Sequence, residues 1–179
     1  MASVLVPLAQ GCEELEAVTV IDLLRRASVD VVSAGLDDKP VIASRGVVLM
    51  PDTDLDMALE RDYDMIVLPG GLPGADHLDN DQRLRERLKT MAQQGKYTAA
   101  ICAAPKVLYS TGLLENKKAT AYPGVLDALG GLSQGQAVVE DGKVITSRGP
   151  GTAMDFALTL IEKLVGKEKR DEVEKGLVR

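Results

Sequence analysis

The stretch YTAAICAAPKVL, residues 97–108, passes from an apolar strand into a helix within a few residues, and Cys102 stands at the corner. Small residues and a proline follow the cysteine, and proline suits the first turn of a helix. Cysteine is also a small apolar residue, so Cys102 could simply fill space where strand meets helix. The alternative is a reactive thiolate, and only the rest of the chain can favour one over the other.

Further apolar runs indicate the remaining strands of a buried parallel sheet, because they are hydrophobic without alternation. They are SVLVPLA (3–9), VDVVSAG (29–35) and DMIVLPGG (64–71). Helical periodicity follows two of them, at 13–27 and 80–95, and recurs at 151–166. In the first helix the pattern places five apolar residues inward: Leu15, Val18, Val20, Ile21 and Leu24. Alternating strands and helices predict a doubly wound α/β sheet.

Shorter segments extend this pattern. Four of them resemble strands, at 46–50, 118–122, 137–142 and 143–149, and the pair Asp141-Gly142 predicts a tight hairpin between the last two. A mixed edge to the sheet is therefore expected. The final segment, 167–179, is highly charged and is interpreted as a solvated helix or tail.

Composition limits the possible functions. The chain has 179 residues, 45% of them hydrophobic, which fits a single domain over 1–179 with a sizeable core. Its net charge of −6 gives no reason to expect nucleic acid or an anionic membrane as a partner. Two cysteines are too few for a disulfide framework, and no Cys/His cluster offers a metal site. The first apolar run is too short to span a bilayer, so a cytoplasmic protein is expected.

Ligands of such sheets bind outside the carboxyl ends of the strands. Four segments fall there: QGCEELE, LPGGLPGAD, CAAP and SRGPGT. Gly70 and Gly71 could expose backbone amides to an anion, although glycines also simply form turns. Glu16 could act chemically, or it could only complement the dipole of its helix. Because different strand ends supply the thiol, the carboxylate and the amides, we expect them to meet at one rim.

The segments AICAAP, VLPGG, GCEELEAV and TSRGPGT occur in an order that resembles the ThiJ/PfpI superfamily, in the branch that contains bacterial YajL and DJ-1. This resemblance spans the chain and implies a flavodoxin-like three-layer sandwich with a nucleophile elbow at Cys102. It also implies that Glu16 hydrogen-bonds the thiolate, that backbone amides of Gly70, Gly71 and Ala103 form an oxyanion-type pocket, and that no cofactor or metal is required. A homodimer is implied too, with interface candidates Glu13, Arg26, Arg45 and Pro150.

Departures from the superfamily pattern narrow the function. Protease-like members have a histidine directly after the elbow cysteine, whereas this chain has Ala103, so a peptidase triad lacks its base. DJ-1-type members carry a histidine where this chain has Tyr122, and YajL-type members carry an aromatic residue there. The single histidine, His77, matches no catalytic position and is interpreted as a surface or loop residue. Phosphoryl transfer is disfavoured because the chain has no GxxxxGK[ST] loop.

A free thiol with a pKa of about 8.5 is only slightly ionised at neutral pH, so a nucleophilic Cys102 needs a partner. An ionised Glu16 would oppose the thiolate, whereas a protonated Glu16 would donate to it, and the pair would then share one proton. That arrangement suits addition to small dicarbonyls. The resemblance implies a glyoxalase III-like reaction on methylglyoxal-type 2-oxoaldehydes and a deglycase activity on early glycation adducts. A non-enzymatic peroxide sensor or redox-regulated chaperone would use the same cysteine.

The second cysteine serves as an internal comparison. Cys12 follows the first strand and could resolve an oxidised Cys102, but an ordinary loop cysteine fits the sequence better. Susceptibility to peroxide follows thiolate character and access, so Cys102 is expected to be oxidised first. Hydrogen-bond donors around Cys102 would hold its oxidised form as a sulfinate.

Overall fold

The computed structural model describes residues 1–179 and places one sheet between two layers of helices. The strands are β1 Ser3–Leu8, β2 Asp30–Gly35, β3 Val41–Ile42, β4 Val48–Leu49, β5 Thr53–Asp54, β6 Met65–Leu68, β7 Tyr97–Ile101, β8 Val138–Asp141 and β9 Val144–Ser147. The helices are α1 Glu14–Arg26, α2 Leu55–Ala58, α3 Gly74–Asn80, α4 Gln82–Gln93, α5 Pro105–Ser110, α6 Ala153–Val165 and α7 Lys167–Gly176.

The main sheet has seven strands in the order β5-β2-β1-β6-β7-β9-β8. Every neighbouring pair is parallel except β8 and β9, which form the predicted antiparallel edge hairpin. The chain winds outward in one direction from β1 and in the other from β6, so the strand order reverses between them. The carboxyl ends of β1 and β6 therefore flank the crevice where such sheets bind ligands. The predicted α/β class with a mostly parallel sheet is confirmed.

Both faces of the sheet are buried, which explains the uninterrupted apolar runs. Side chains of β1 alternate between two cores: Val4 and Val6 pack with α1 and α6, whereas Leu5 packs with residues of α2, α4 and α5. No helix is both long and apolar enough to cross a membrane.

The predicted inward face of α1 is partly wrong. Val20 and Leu24 are buried as expected, but Leu15 and Val18 are 50% and 47% exposed. The buried stripe instead consists of positions three and four residues apart, at 16, 17, 20, 23 and 24. Apolar residues occupy a second face of this helix, and that face has no partner within the chain.

Two of the shorter predicted strands also differ. Residues 118–122 form no strand, because β9 already pairs with β7 and β8 on its two sides. Their amides bond elsewhere: Thr120 N–H donates to Thr146 Oγ1 at 2.9 Å and Lys118 N–H to Asp141 Oδ2 at 2.8 Å. In the segment 46–50, only β4 is a strand, and it pairs with β3 outside the main sheet. The charged segment 167–179 is helical over α7, with Val173 buried.

Candidate active site

Cys102 lies directly after β7, at the turn that leads into α5. Its φ of +64° is in the left-handed region, which is unfavourable for a residue with a side chain and is found at strained functional turns. The Cys102 N–H donates to Ser147 O at 3.0 Å, which holds the turn beside β9. Cys102 as a whole residue is 8% exposed. The sharp elbow that the resemblance implies is therefore present.

The two glycines after β6 bring backbone up to this elbow. A Cβ on Gly70 would lie 2.7 Å from the Cys102 Cβ, closer than real side-chain contacts allow. Gly71 has a φ of +85°, and a Cβ there would lie 2.5 Å from Glu13 N. Both positions therefore require glycine for the approach of the 70–71 segment.

Backbone amides surround the thiol, but they have different partners. Those of Gly71 and Ala103 hydrogen-bond Cys102 and lower the pKa of its thiol. The Gly70 amide instead donates to Glu16 Oε2 at 2.8 Å. The expected pocket of three amides around the reacting atoms is thus reduced to Gly71 and Ala103, while Gly70 orients the carboxyl.

Glu16 projects from α1 into the same crevice and is completely buried. Burial raises the pKa of its carboxyl to about 7, opposed by the hydrogen bonds from the Gly70 amide and the Cys102 side chain. Its second oxygen, Oε1, has no nitrogen or oxygen partner. A buried carboxylate oxygen without a donor is costly, so protonation of this oxygen is favoured.

The thiol and the carboxyl form one titrating pair. Burial and the adjacent Glu16 carboxylate raise the pKa of the Cys102 thiol to about 12. Two buried negative charges side by side are unfavourable, so the pair retains one proton over a wide pH range. The structure therefore differs from the arrangement that the sequence suggested, in which a protonated Glu16 donates to a thiolate. Here the thiol holds the shared proton and donates to the Glu16 carboxylate, because burial and the adjacent carboxylate oppose its ionisation.

Two residues that sequence reasoning did not single out support the elbow. The Ser147 hydroxyl and Thr152 Oγ1 are 2.7 Å apart, and Thr152 Oγ1 also bonds the backbone of Gly149. Together they fix the turn after β9 against Cys102. The only sequence signal was the segment TSRGPGT itself, in which small hydroxyl residues flank two glycines.

The interface candidates lie outside the contacts of the thiol. Glu13 caps α1 through Leu15 N–H and accepts a bond from Ser44 Oγ at 3.1 Å. The other three are Arg26, which pairs with Asp22 at 2.8 Å, Arg45, which is exposed in the turn between β3 and β4, and Pro150, which is half-buried after β9.

Cys12 and His77 do not join the site. Cys12 is fully buried, and burial, with Glu14 and Glu13 nearby, raises the pKa of its thiol to about 12. His77 is exposed on α3, so it is a surface residue as expected but helical rather than in a loop. It lines a cavity of about 310 Å³ that includes neither Cys102 nor Glu16. No group of three or more His, Cys, Asp or Glu side chains could hold a metal ion.

Graded peroxide is expected to oxidise Cys102 before Cys12. Cys102 is 8% exposed and has two amide donors for a charged sulfur, whereas Cys12 is sealed and surrounded by acids. Peptide mass spectrometry of protein quenched after increasing doses would show the order. Equal modification of both cysteines, or earlier modification of Cys12, would mean that the surroundings of Cys102 confer no reactivity.

Comparison with known proteins places the chain among close relatives. The model of the DJ-1/PfpI family matches residues 2–163. The chain is 46% identical over 179 residues to Protein DJ-1 homolog B of Arabidopsis thaliana; this alignment covers 98% of the chain but 41% of that longer relative. It is 36% identical to the glutathione-independent glyoxalase DJR-1.2 of Caenorhabditis elegans, covering 98% of the chain and 95% of the relative. The solved structure of oxidized Toxoplasma gondii DJ-1 superposes with a TM-score of 0.94 at 42% identity, covering 99% and 98% of the two chains.

Proposed function

The chain belongs to the DJ-1/PfpI family, and from this premise we propose that it is a cysteine-dependent glyoxalase III-like enzyme that converts methylglyoxal-type 2-oxoaldehydes without a cofactor. One observation carries the proposal: the Cys102 thiol lies between two amide donors and a buried carboxyl whose pKa of about 7 suits proton transfer at neutral pH. The name of the Caenorhabditis elegans relative supports the same reaction class.

In the first step the Cys102 sulfur attacks the aldehyde carbon and forms a C–S bond. The electron pair of the carbonyl moves to its oxygen, where the amides of Gly71 and Ala103 are the available donors. Glu16 accepts the thiol proton as the C–S bond forms and delivers it to that oxygen, which gives a neutral hemithioacetal. No redox partner is needed, because the addition changes no overall oxidation level.

In the second step Glu16, now ionised, removes the hydrogen from the former aldehyde carbon. The same carboxyl returns this proton to the neighbouring carbon of the resulting enediolate. The hydroxyl proton on the former aldehyde oxygen moves to the neighbouring oxygen, which produces a thioester of a 2-hydroxy acid. Water cleaves this thioester and returns the thiol. The sum is one 2-oxoaldehyde plus one water giving one 2-hydroxy acid.

Early glycation adducts on proteins are a second substrate class for the same thiolate, because their hemithioacetal and aminocarbinol carbons stand in equilibrium with free dicarbonyl. A protein deglycase activity would then follow from removal of the free aldehyde.

The rival function, a peroxide sensor or redox-regulated chaperone, is favoured by one observation: the amides that would hold an oxyanion would equally hold a sulfinate on Cys102.

The direct test is turnover of methylglyoxal by purified protein without glutathione. Proton NMR should show loss of the aldehyde and appearance of lactate in equal amounts, well above a sample without protein. If the aldehyde is lost without lactate, the protein is only being modified. If neither changes while Cys102 oxidises readily, the sensor function is the better one.

The exposed face of α1 supports a further proposal, a homodimer. Leu15 and Val18 on this helix are half exposed, and so are apolar residues of the nearby β3–β4 hairpin: Ile42, Val47, Val48 and Met50. Ser44 fastens the hairpin to α1 through Glu13 and Glu14. An apolar surface formed by two adjacent elements is typical of a protein interface.

Val18→Asp is expected to convert the dimer into a monomer, because it would bury an unpaired charge in the apolar face. Sedimentation at micromolar concentration should give about twice the chain mass for the wild type and the chain mass for the variant. Leu132→Asp is the matched control, since Leu132 is 82% exposed in a distant loop. A wild-type monomer, or equal effects of both substitutions, would contradict the proposed interface.

A further inference from the structure

Tyr122 is attached to the nucleophile residue by its backbone. Its N–H donates to Cys102 O at 2.8 Å, so its position follows that of the elbow. The ring packs beside the turn after β9: a Cβ on Gly149 would lie 3.5 Å from the Tyr122 ring carbon Cδ2. Yet 52% of Tyr122 remains exposed. A large aromatic ring held at the elbow and open to solvent offers a wall to an incoming ligand.

Leu72 directly follows Gly71, whose amide donates to Cys102. It is 60% exposed, although the glycines before it are packed tightly between the elbow and the start of α1. Tyr122 and Leu72 are thus both tied to Cys102 through the backbone, Tyr122 from the segment between α5 and β8 and Leu72 from the segment between β6 and α3. We call these two side chains the apolar rim.

The charge near the rim disfavours anionic ligands. Glu13 is close enough to raise the pKa of Glu16 by repulsion. Arg148 lies in the neighbouring turn, but its guanidinium donates to Gly135 O at 3.0 Å. It therefore does not supply a positive charge for an anionic ligand. A neutral ligand with an apolar substituent therefore fits better than a carboxylate-bearing one, and a 2-hydroxy acid product would be released readily as an anion.

We infer that the apolar rim makes this site selective for neutral 2-oxoaldehydes with an apolar or aryl substituent, and that Tyr122 is the main specificity-determining residue. This inference rests on the proposed function and names its substrate class. The substituent packs on the Tyr122 ring while the aldehyde carbon meets the sulfur of Cys102. The contact is made in the bound state and the transition state alike, so it is expected to lower KM more than it raises kcat.

The test compares phenylglyoxal with methylglyoxal. The wild type should have the higher kcat/KM for phenylglyoxal, mainly through KM. In Tyr122→Ala the ratio of the two values should fall roughly threefold to tenfold, the effect of losing one aromatic contact, while Tyr122→Phe should keep it. Leu72→Asn should lower the ratio independently. Met57→Ala, an exposed position on α2 beside the edge strand β5, should not change it.

A second readout does not require turnover. Cys102 is alkylated with iodoacetamide and with N-phenyl iodoacetamide, in which sulfur displaces iodide in both cases, and each rate is divided by that of a free model thiol. A preference for the phenyl reagent that disappears in Tyr122→Ala supports the rim. Unchanged ratios in both assays overturn it, even if methylglyoxal is consumed. Absence of turnover together with a Tyr122-dependent alkylation preference would instead reject the proposed function and keep the apolar rim.

Discussion

Serine in place of Cys102 is expected to lower kcat/KM for methylglyoxal by on the order of 10³-fold or more, because removal of a nucleophile typically costs at least this much. A serine hydroxyl would occupy the same volume and the same left-handed backbone, so the elbow should persist. It would not ionise beside Glu16, because its pKa is far above that of a thiol. The measurement is the rate of lactate formation by proton NMR, with circular dichroism to verify the fold.

Cys12→Ala is the matched control. Cys12 is buried in the same apolar core as Cys102 but contributes no atom to the proposed reaction, so activity within about twofold of wild type is expected. If Cys102 were only a space-filling residue, the two substitutions would change stability alone. Wild-type turnover by Cys102→Ser would reject the nucleophile, and equal loss in both variants would point to a general packing effect.

The sheet could be predicted because its strands are buried on both faces. β1, β2, β6 and β7 each appear in the sequence as an apolar run followed by turn residues, and this pattern does not depend on distant contacts. The short strands β3 and β5 have two residues each, too few for any periodicity. The segment 118–122 has strand-forming residues but no free neighbour, and only the tertiary pairing of β9 reveals this.

The meeting of the candidate site residues could also be predicted from the sequence, but their individual hydrogen bonds could not. The carboxyl ends of parallel strands meet at one edge, so topology alone brings the Cys102 turn, Gly70 and Glu16 together. Topology does not assign individual hydrogen bonds. Gly70 and Gly71 are adjacent and chemically identical, yet one amide serves the carboxyl and the other the thiol. That difference depends on backbone direction at the turn, which the sequence does not encode locally.

The apolar residues of α1 show the same limit. A helix with hydrophobic residues on two faces gives an ambiguous pattern, because either face could contact the core. The face with Glu16 is buried, which no hydrophobicity scale favours for a carboxylate. Its burial is offset by the bond to the Gly70 amide and by the proton that the carboxyl retains. These interactions of Glu16 therefore explain why this face of α1, rather than the face with Leu15 and Val18, packs against the sheet.

Glu16→Gln is expected to reduce turnover by about 10²- to 10⁴-fold, the usual contribution of a general acid or base. Glutamine can still occupy the space and accept the Gly70 amide bond through its carbonyl oxygen, so the position of Cys102 should be kept. It can donate to the sulfur but cannot carry a proton between two carbons. Thiol alkylation of Glu16→Gln should therefore remain measurable while lactate formation is lost.

The same substitution has a pH-dependent effect on stability, and its sign is fixed by the raised pKa. The carboxyl titrates near 4.5 in the unfolded chain and near 7 in the folded one, so the folded state holds the proton more tightly. The protonated Glu16 carboxyl contributes its full stabilisation of the folded state below pH 4.5. This contribution is lost as the pH rises through 7. Over this window the loss amounts to about 3 kcal/mol at 1.36 kcal/mol per pKa unit.

Glu16→Gln should remove this loss, because its side chain does not titrate. The difference in unfolding free energy between the variant and the wild type is expected to shift in favour of the variant between pH 5 and pH 8, as measured by urea denaturation. A constant difference across this range would mean that Glu16 is ionised in the folded state throughout, and the raised pKa of its carboxyl would be rejected. A shift in stability with turnover unimpaired would leave Glu16 as a buried structural acid bound to Gly70. Only the two losses together, of pH dependence and of lactate formation, identify Glu16 both as the group whose titration changes the stability of the fold and as the proton carrier of the proposed reaction.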